Sequence, residues 1–485
     1  MTPPEPHAAE AKASKPSASL SGALISLSLC MLLPSLSTSI ANVALPTFTD
    51  AFGVSFQAVQ WVVLAYLLVI TTLIVSVGRL GDITGRKRLL LIGLAVFTGA
   101  SVLCGLAPSL WFLIAARAAQ GAGAAVLMAL TMAFVGEAVP KAQTGTAMGL
   151  LGTMSAVGTA LGPSLGGVLI AGFGWPTIFF INLPLGLLAM LFAWRTLPGD
   201  SEEGRKAGAH FDNLGTLLLA LALGAYALAM TIGRGQFGSL NVALLISALI
   251  GIGAFIIAET KAASPLIRMG MFRNPVLSTG FVMSALVTTV VMATLVVGPF
   301  YLSEALHLDA ARVGLVMSSG PIVAALTGVP AGRLVDRFGA GVMTIIGLIA
   351  MTVGSSVLPM VPVRFGPPGY VAPLIVITAG YALFQAANNT SVMKDVTKDQ
   401  RGVISAILNL SRNLGLVTGA SVMGAIFAIA SGTSDITAAD PGAVAFGMHV
   451  TFFAAAGLIL VALGVAFGGR ALSRSAAHTK PQAGE

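Results

Sequence analysis

Fourteen apolar runs follow one another along this chain, each long enough to cross a bilayer as a helix and separated by short polar breaks. Their limits are 20–46, 57–79, 89–107, 109–135, 144–172, 175–196, 213–233, 239–258, 276–302, 311–331, 341–360, 370–390, 402–431 and 446–468. A hydrocarbon core about 30 Å thick takes roughly 20 residues of helix. In lipid every backbone polar group must be satisfied within the chain, which leaves helices as the spanning element for runs of this length. Of the 485 residues 56% are hydrophobic and only 9% charged, with a mean hydropathy of +0.92. A water-soluble fold could not cover so much apolar sequence with so few polar groups. The fold class predicted is an all-α polytopic membrane protein.

The cations orient it. With the N-terminus in the cytoplasm, 21 of the 26 Lys and Arg fall in inside segments, and 3 (Arg234, Arg312 and Arg364) fall outside. This bias follows the positive-inside rule. It predicts a multi-pass protein of the bacterial cytoplasmic (inner) membrane with both termini cytoplasmic. The formal charge of +8 lies mostly in loops between apolar runs, so topology explains it and no nucleic-acid partner is expected. Cys30 and Cys104 both fall inside runs and read as small hydrophobes. The first 19 residues, polar and rich in Ala, Pro and Ser, read as a disordered tail.

A repeat divides the chain. "GRLGDITGRKR" begins at Gly78 and "GRLVDRFGAG" at Gly332, sharing G-R-L-x-D-x-x-G. The first copy follows span 2 and the second span 10. Two six-helix halves would put the copies six spans apart, so two extra spans lie between the halves, and spans 7 and 8 are the candidates. The expected organisation is a cytoplasmic tail 1–19, an N-terminal six-helix bundle 20–197, a cytoplasmic loop with two extra helices 198–260, a C-terminal six-helix bundle 261–470 and a cytoplasmic tail 471–485. Parallel repeats of this kind build one large class of transporter.

Five stretches, in order, resemble the major facilitator superfamily, and within it the fourteen-helix drug:proton antiporter branch. "SLSTSIANVALP" is similar to the helix 1 signature and "GRLGDITGRKRLLLIG" to the loop between helices 2 and 3. "LIAARAAQGAGAA" is similar to the helix 4 signature, "GTALGPSLGGVL" to the helix 5 antiporter signature and "WPTIFFINLPLG" to the start of helix 6. The resemblance covers nearly the whole chain. It implies the major facilitator fold, two six-helix bundles plus two additional transmembrane helices. It also implies a secondary active transporter that exports amphipathic organic compounds, drugs or related metabolites, by alternating access with proton coupling.

The resemblance assigns a conformational gate to Gly78, Asp82, Gly85, Arg86 and Lys87, with Gly332, Asp336, Arg337 and Gly339 as the second copy. Glycines permit the tight reversal between helices. An Asp can accept from backbone N–H groups at a neighbouring helix N-terminus. The positive-inside rule alone accounts for the basic residues, but not for the recurrence of Gly, Leu and Asp. On helix 5 the antiporter motif is Gly158, Gly162, Pro163, Gly166 and Gly167. Small residues every four positions let helices approach closely. Ordinary packing and a pliable interface between rocking halves are both compatible with that spacing.

Charges inside spans are costly and face a cavity or a partner. Arg117 in span 4 and Arg412 in span 13 are the two that lie well inside a span. A structural Arg held by helix carbonyls is the alternative to a cavity Arg at both positions. Polar groups that could share their faces are Gln120 beside Arg117, Asn409 and Asn413 beside Arg412, Gln385, Asn388 and Asn389 on span 12, and Asn182 in span 6. With Ser37 and Asn42 of span 1, Arg117, Gln120, Asn182, Gln385, Asn388, Asn389, Asn409 and Arg412 form the expected substrate cavity or proton path. One departure matters. Aligned on Asn42, Ala44, Leu45 and Pro46, the Asp that the branch carries on helix 1 falls on Ser37. A carboxylate in an apolar cavity is the usual proton carrier, because burial lifts its pKa towards neutrality. Without it, a cavity with two Arg suits a neutral or anionic compound better than a dication. Proton coupling then falls to acids near the membrane faces (Asp82, Glu137, Glu304, Asp336) or is absent. The alternative function is a dedicated exporter or importer of one neutral or anionic metabolite without proton antiport.

Other classes lack their parts. The chain has no phosphate-binding loop with Lys and Ser or Thr, and His449 is the only His within a span, so no enzyme, metal or cofactor is expected. Glu304, His307 and Asp309 lie together after span 9, where scattered polar residues of an outer loop suffice. The partners expected are a small organic substrate, membrane lipid and protons, with the chain acting as a monomer.

Overall fold

The computed structural model describes residues 20–138, 144–200, 213–232, 238–262, 269–393, 401–432 and 439–478. The N-terminal tail and most of the hydrophilic loop after Asp200 lie outside them, as do the side chains of Gly78, Asp82 and Glu137. Every expected span has its helix. The first half comprises α1 (Leu20–Val43), α2 (Leu45–Phe52), α3 (Phe56–Thr84), α4 (Arg86–Gly105), α5 (Leu110–Ala138), α6 (Thr144–Phe173), α7 (Thr177–Phe180) and α8 (Asn182–Thr196). An inserted pair, α9 (Asn213–Thr231) and α10 (Ser239–Lys261), follows. The second half comprises α11 (Pro275–Phe300), α12 (Ala310–Phe338), α13 (Ala340–Val357), α14 (Gly366–Met393), α15 (Arg401–Thr418), α16 (Gly424–Ala430) and α17 (Pro441–His478). A short π turn joins α15 to α16, and α7 with α8 makes one span.

Among the described residues thirteen spans are long and apolar enough to cross a membrane. The remaining helix, α6, carries an apolar stretch over Val157–Phe173. α17 continues two turns into the segment assigned to the C-terminal tail. Leu249 and Ile250 on α10 are 69% and 66% exposed, and large apolar side chains stand out all round the bundle. Such a surface is stable only in lipid.

The repeat is visible in the backbone. Gly85 ends α3 and starts α4 at φ +97°, and Gly339 ends α12 and starts α13 at φ +85°. Each is one reversal made by a single residue in a conformation that L side chains avoid. Within the first half α1 packs on α6 and α8, and α5 on α3 and α4; within the second, α14 packs on α12 and α13, and α11 on α15 and α17. The halves meet where α6 packs on α12 and α3 on α15, two pairs that the repeat exchanges.

The inserted pair attaches to α3. Trp61 Nε1 donates to Thr231 Oγ1 at 3.0 Å, and the Ser76 and Thr216 hydroxyls bond at 2.7 Å. Fifteen residues separate the contacts on either helix, so α9 lies antiparallel along α3 over four turns. Leu219 and Leu223 of α9 also pack in a core with Phe281, Ile404 and Ile407 of the second half. The pair therefore touches both halves at once.

Candidate functional site

Arg117 lies in the middle of the first half and is 0% exposed. α5 carries it between α1 and α3. Its Nε donates to Val62 O at 2.9 Å, and its Nη1 to Ser37 Oγ at 2.9 Å and Gln120 Oε1 at 2.6 Å. The guanidinium carbon sits 4.0 Å from the centre of the Tyr66 ring, a cation–π contact. Gln120, one turn on, donates to Ser101 Oγ at 2.6 Å, which fixes its oxygen towards Arg117. The partners are all neutral, and Nη2 has no hydrogen-bond partner among the described residues. Ser37 thus stands where a carboxylate would meet the cation directly.

Arg412 occupies a different place. It lines a narrow cleft in the second half, with room for about one water molecule, together with Ser284, Thr288, Tyr381, Phe384, Gln385, Asn388 and Asn389. The Gln385 amide is oriented by its donors, its oxygen accepting from Arg412 Nη1 at 3.2 Å and Nη2 at 3.0 Å. Asn388 Nδ2 donates to Gly280 O at 3.1 Å, while its buried Oδ1 is unpaired among the described residues. The expected residues therefore divide. Ser37, Arg117 and Gln120 form one sealed node, and Gln385, Asn388, Asn389 and Arg412 form an open cleft. Asn409 is half-buried one turn before Arg412 and outside the cleft wall. Asn42 donates to Thr38 O at 2.8 Å within α1, and Asn182 is buried with both side-chain polar atoms unpaired among the described residues.

The glycines of α6 also divide. Ideal β-carbons on Gly158, Gly162 and Gly166 would meet α1 at Leu32 O, Ser39 and Ile40, so these residues pack inside the first half. The adjacent Gly167 faces the other way: its β-carbon would lie 2.6 Å from Ala310 O and 3.0 Å from Gly314 Cα on α12. A β-carbon on Gly314 would meet Pro163 O in return. On α3, Gln60 Nε2 donates to Ala420 O at 2.8 Å, in the π turn before α16. Above it Phe56 packs edge-on against Phe300 at 4.7 Å and Phe427 at 5.5 Å. The contacts between the halves lie towards the bundle end away from the basic loops. The cleft groups lie nearer the basic end.

At the basic end Asp200 caps a neighbouring helix. Its carboxylate accepts from Lys87 N at 2.9 Å and Arg88 N at 3.2 Å at the start of α4, while Lys87 Nζ donates to Leu197 O at 2.6 Å. The turn at Gly85 is thereby tied to the end of α8 in the same half. On the second copy Asp336 and Arg337 are exposed. Of the other acids, Glu304 accepts from Ser303 Oγ at 2.7 Å, and Asp309 caps α12 by accepting from Arg312 N at 2.9 Å. Glu259, one residue beyond the expected span 8, is 2% exposed in the last turn of α10.

Sequence reasoning missed Ser284, Thr288, Tyr381 and Phe384 as cleft wall, and Gln60 and the three Phe as a seam. Ser284 and Thr288, four apart in an apolar run, carried a usable signal, as did Gln60. The Phe residues carried none, because aromatic side chains in such runs are ordinary core.

Two six-helix halves related by a parallel repeat, with polar sites buried in each and a seam between them, define a transporter of the two-bundle kind. A family model for the Major Facilitator Superfamily matches residues 27–420, and the chain belongs to that family. It is 32% identical to riboflavin transporter RibZ of Clostridioides difficile (strain 630), over 84% of this chain and 88% of that protein. It is 31% identical to multidrug resistance protein Stp of Mycobacterium tuberculosis (strain ATCC 25618 / H37Rv), over 84% of this chain and 75% of that protein. Among solved structures, a point mutant of the nucleoside transporter NupG superposes with a TM-score of 0.63 at 15% identity, covering 93% of this chain and 98% of that one. An inward-facing bacterial homolog to the human lysosomal transporter Spinster gives 0.66 at 16%, covering 93% and 96%. Both show the fold. The chain is a membrane transporter, not an enzyme.

Proposed function

We propose that this protein exports amphipathic organic compounds across the bacterial inner membrane by alternating access, acting as a monomer with both termini cytoplasmic and lipid around its apolar surface. The observation that carries the reading is the seam. Gly167 on Gly314, Gln60 on Ala420 and the Phe56 cluster close the outer end, while the Arg412 cleft lies nearer the basic, cytoplasmic end. That is the arrangement expected of a state that loads substrate from inside. The 21 to 3 distribution of cations supports the orientation; a relative that is a drug efflux pump supports the direction, and a multidrug resistance protein supports the substrate class.

The test is transport. Cells with the gene should tolerate a set of amphipathic drugs that cells without it do not. Proteoliposomes with an imposed pH gradient should move the same compounds faster if protons drive export. Equal susceptibility with and without the gene would sink the export reading.

A second reading, dedicated carriage of one neutral or anionic metabolite without proton antiport, is favoured by the neutral surroundings of Arg117. The riboflavin transporter among the relatives supports it too. Ser37→Asp separates the two. An Asp there stands within hydrogen-bond reach of Arg117 Nη1 and supplies the counter-charge that the node lacks. If the missing acid sets the substrate class, this variant gains export of a lipophilic monocation, and that export becomes sensitive to the pH gradient. Unchanged transport of cations would show that the missing acid does not set the substrate class.

A further inference from the structure

We infer that the second copy of the gate turn, with Arg470 beside it, binds the phosphate of an anionic phospholipid. This goes beyond the transport reading, and it rests on that reading only for the leaflet, which is the cytoplasmic one.

The repeat supplies the comparison. In each half the helix that starts at the gate glycine packs on the last helix of that half, α4 on α8 and α13 on α17. The first N–H groups of such a helix have no partner within it and carry the positive end of its dipole. In the first half that end is neutralised: Asp200, just past α8, accepts from Lys87 N and Arg88 N. In the second half the last helix brings a cation to the same corner. Arg470 of α17 lies over Gly341 in the first turn of α13, where an ideal β-carbon would be 2.6 Å from its Nη2 and 3.4 Å from its Cζ. The helix starts at Gly339 with no side chain capping it. A guanidinium and a helix N-terminus, both positive, meet there with no counter-charge among the described residues. Arg333 and Arg337, exposed one turn apart at the end of α12, add charge of the same sign. None of the three arginines is ion-paired among the described residues. Asp336 stands in the same turn, is exposed and pairs with none of them.

An anion in this corner takes the place that Asp200 holds in the first half. It accepts from the α13 N–H groups and from the Arg470 fork together, the pair of donors that suits a phosphate oxygen set. The surroundings make it the phosphate of a lipid. Phe338 and Val342, on either side of the turn, are exposed, and Ile346 and Ile349 continue the apolar face along α13. Acyl chains lie against such a face, so a phosphate at its end is held from both sides. Arginines at the cytoplasmic end also meet the negative surface potential of that leaflet. A zwitterionic headgroup brings its own ammonium to the three arginines and gains less.

The experiment is equilibrium binding to the full-length purified protein in detergent, with dioctanoyl phosphatidylglycerol, dioctanoyl phosphatidylcholine and inorganic phosphate as probes. The anionic lipid is expected to bind at least about fivefold more tightly than the zwitterionic one, and inorganic phosphate more weakly than both. Arg470→Gln should lower affinity for the anionic lipid about fivefold, the effect of one cation near a lipid surface, and leave the zwitterionic lipid within about twofold, which also shows that the variant is folded. Arg470→Asp gives this corner the sign of charge that Asp200 gives the first half, and should abolish the preference. Arg364→Gln, at an exposed arginine of an outer loop, is the control and should change neither affinity. Four results overturn the inference: equal binding of the two lipids, an unchanged ratio in Arg470→Gln, an equal loss in Arg364→Gln, and no binding of either lipid. Inorganic phosphate that binds as tightly as the anionic lipid would make the corner a site for free anions and overturn it too. Binding in detergent does not depend on the direction of transport, so the two proposals fail separately. The expected lipid ratios in a protein that exports no drug defeat export alone, and drug export by a protein indifferent to the headgroup defeats this inference alone.

Discussion

Arg117→Met is expected to yield a protein that folds, melts within a few degrees of the parent and no longer transports. Two opposed energies lead to that result. Removing the guanidinium strands Val62 O, the Ser37 hydroxyl and the Gln120 oxygen, all buried. Each neutral acceptor left dry costs about 1–3 kcal/mol. On the other side, a cation held without a carboxylate and with one nitrogen unpaired among the described residues carries a desolvation cost of several kcal/mol, which Met removes. Met also fills most of the space, whereas Arg117→Ala opens a cavity on top of the orphaned groups and should lose about 2–5 kcal/mol more. An arginine that adds so little to stability and is so fully enclosed fits a functional charge better than a structural one. Transport by Arg117→Met should fall by about a hundredfold or more, an effect of roughly 2.7 kcal/mol on the rate-limiting step. Thermal melting of the two variants beside transport in proteoliposomes decides the matter. Full transport by the Met variant would make Arg117 a packing element. A Met variant that does not fold would make it a structural tie.

How much of this was legible in the sequence follows from where the constraints act. Lipid forbids an unsatisfied backbone, so an apolar run of span length had to be a helix, and all fourteen runs are. Helix ends were less legible because a helix does not stop where hydrophobicity does: α17 runs on to His478 and α10 to Lys261. The repeat was legible down to one torsion angle, since Gly85 and Gly339 make the same reversal. Arg117 and Gln120 stood out because they are one turn apart, but Val62 O and Tyr66 did not. A carbonyl on another helix, 55 residues away, leaves no mark in composition. The expected single polar site became a sealed node and an open cleft for the same reason: sequence gives the helix a residue sits on, and packing decides which gap its side chain enters. The Asp that caps a neighbouring helix beside the gate loop is Asp200, 113 residues beyond Lys87. A partner so far along the chain is out of reach of any local pattern, and the side chain of Asp82 lies outside the described residues.

Gly167→Leu is expected to abolish transport without unfolding the protein, because the residue matters only when the outer end is shut. Its β-carbon would be 2.6 Å from Ala310 O, 3.0 Å from Gly314 Cα and 3.3 Å from Ala311 Cα. These obstacles are main chain, so no rotamer change relieves them. α6 and α12 must separate, and each is rigidly packed in its own half, α6 on α1 and α12 on α14. The strain is therefore carried by the seam rather than the bundles. A state with the outer seam open has no such contact to lose. Packed interfaces are bistable rather than continuously deformable, so a closed state raised by about 3 kcal/mol falls more than a hundredfold in population. The transporter then stays open to the outside, and turnover drops by at least that factor. Spin labels at Phe173 and Arg312, both exposed on either side of the seam, should report a longer separation in the variant. Gly172→Leu on the same helix is the control: a β-carbon there meets nothing within 4 Å, and transport should be unchanged. If Gly167→Leu transports normally, or if Gly172→Leu is equally inactive, α6 does not carry the outer gate. If the label distance stays short while transport is lost, the seam has yielded by some other route and the close approach of Gly167 to Gly314 is not what shuts the outer end.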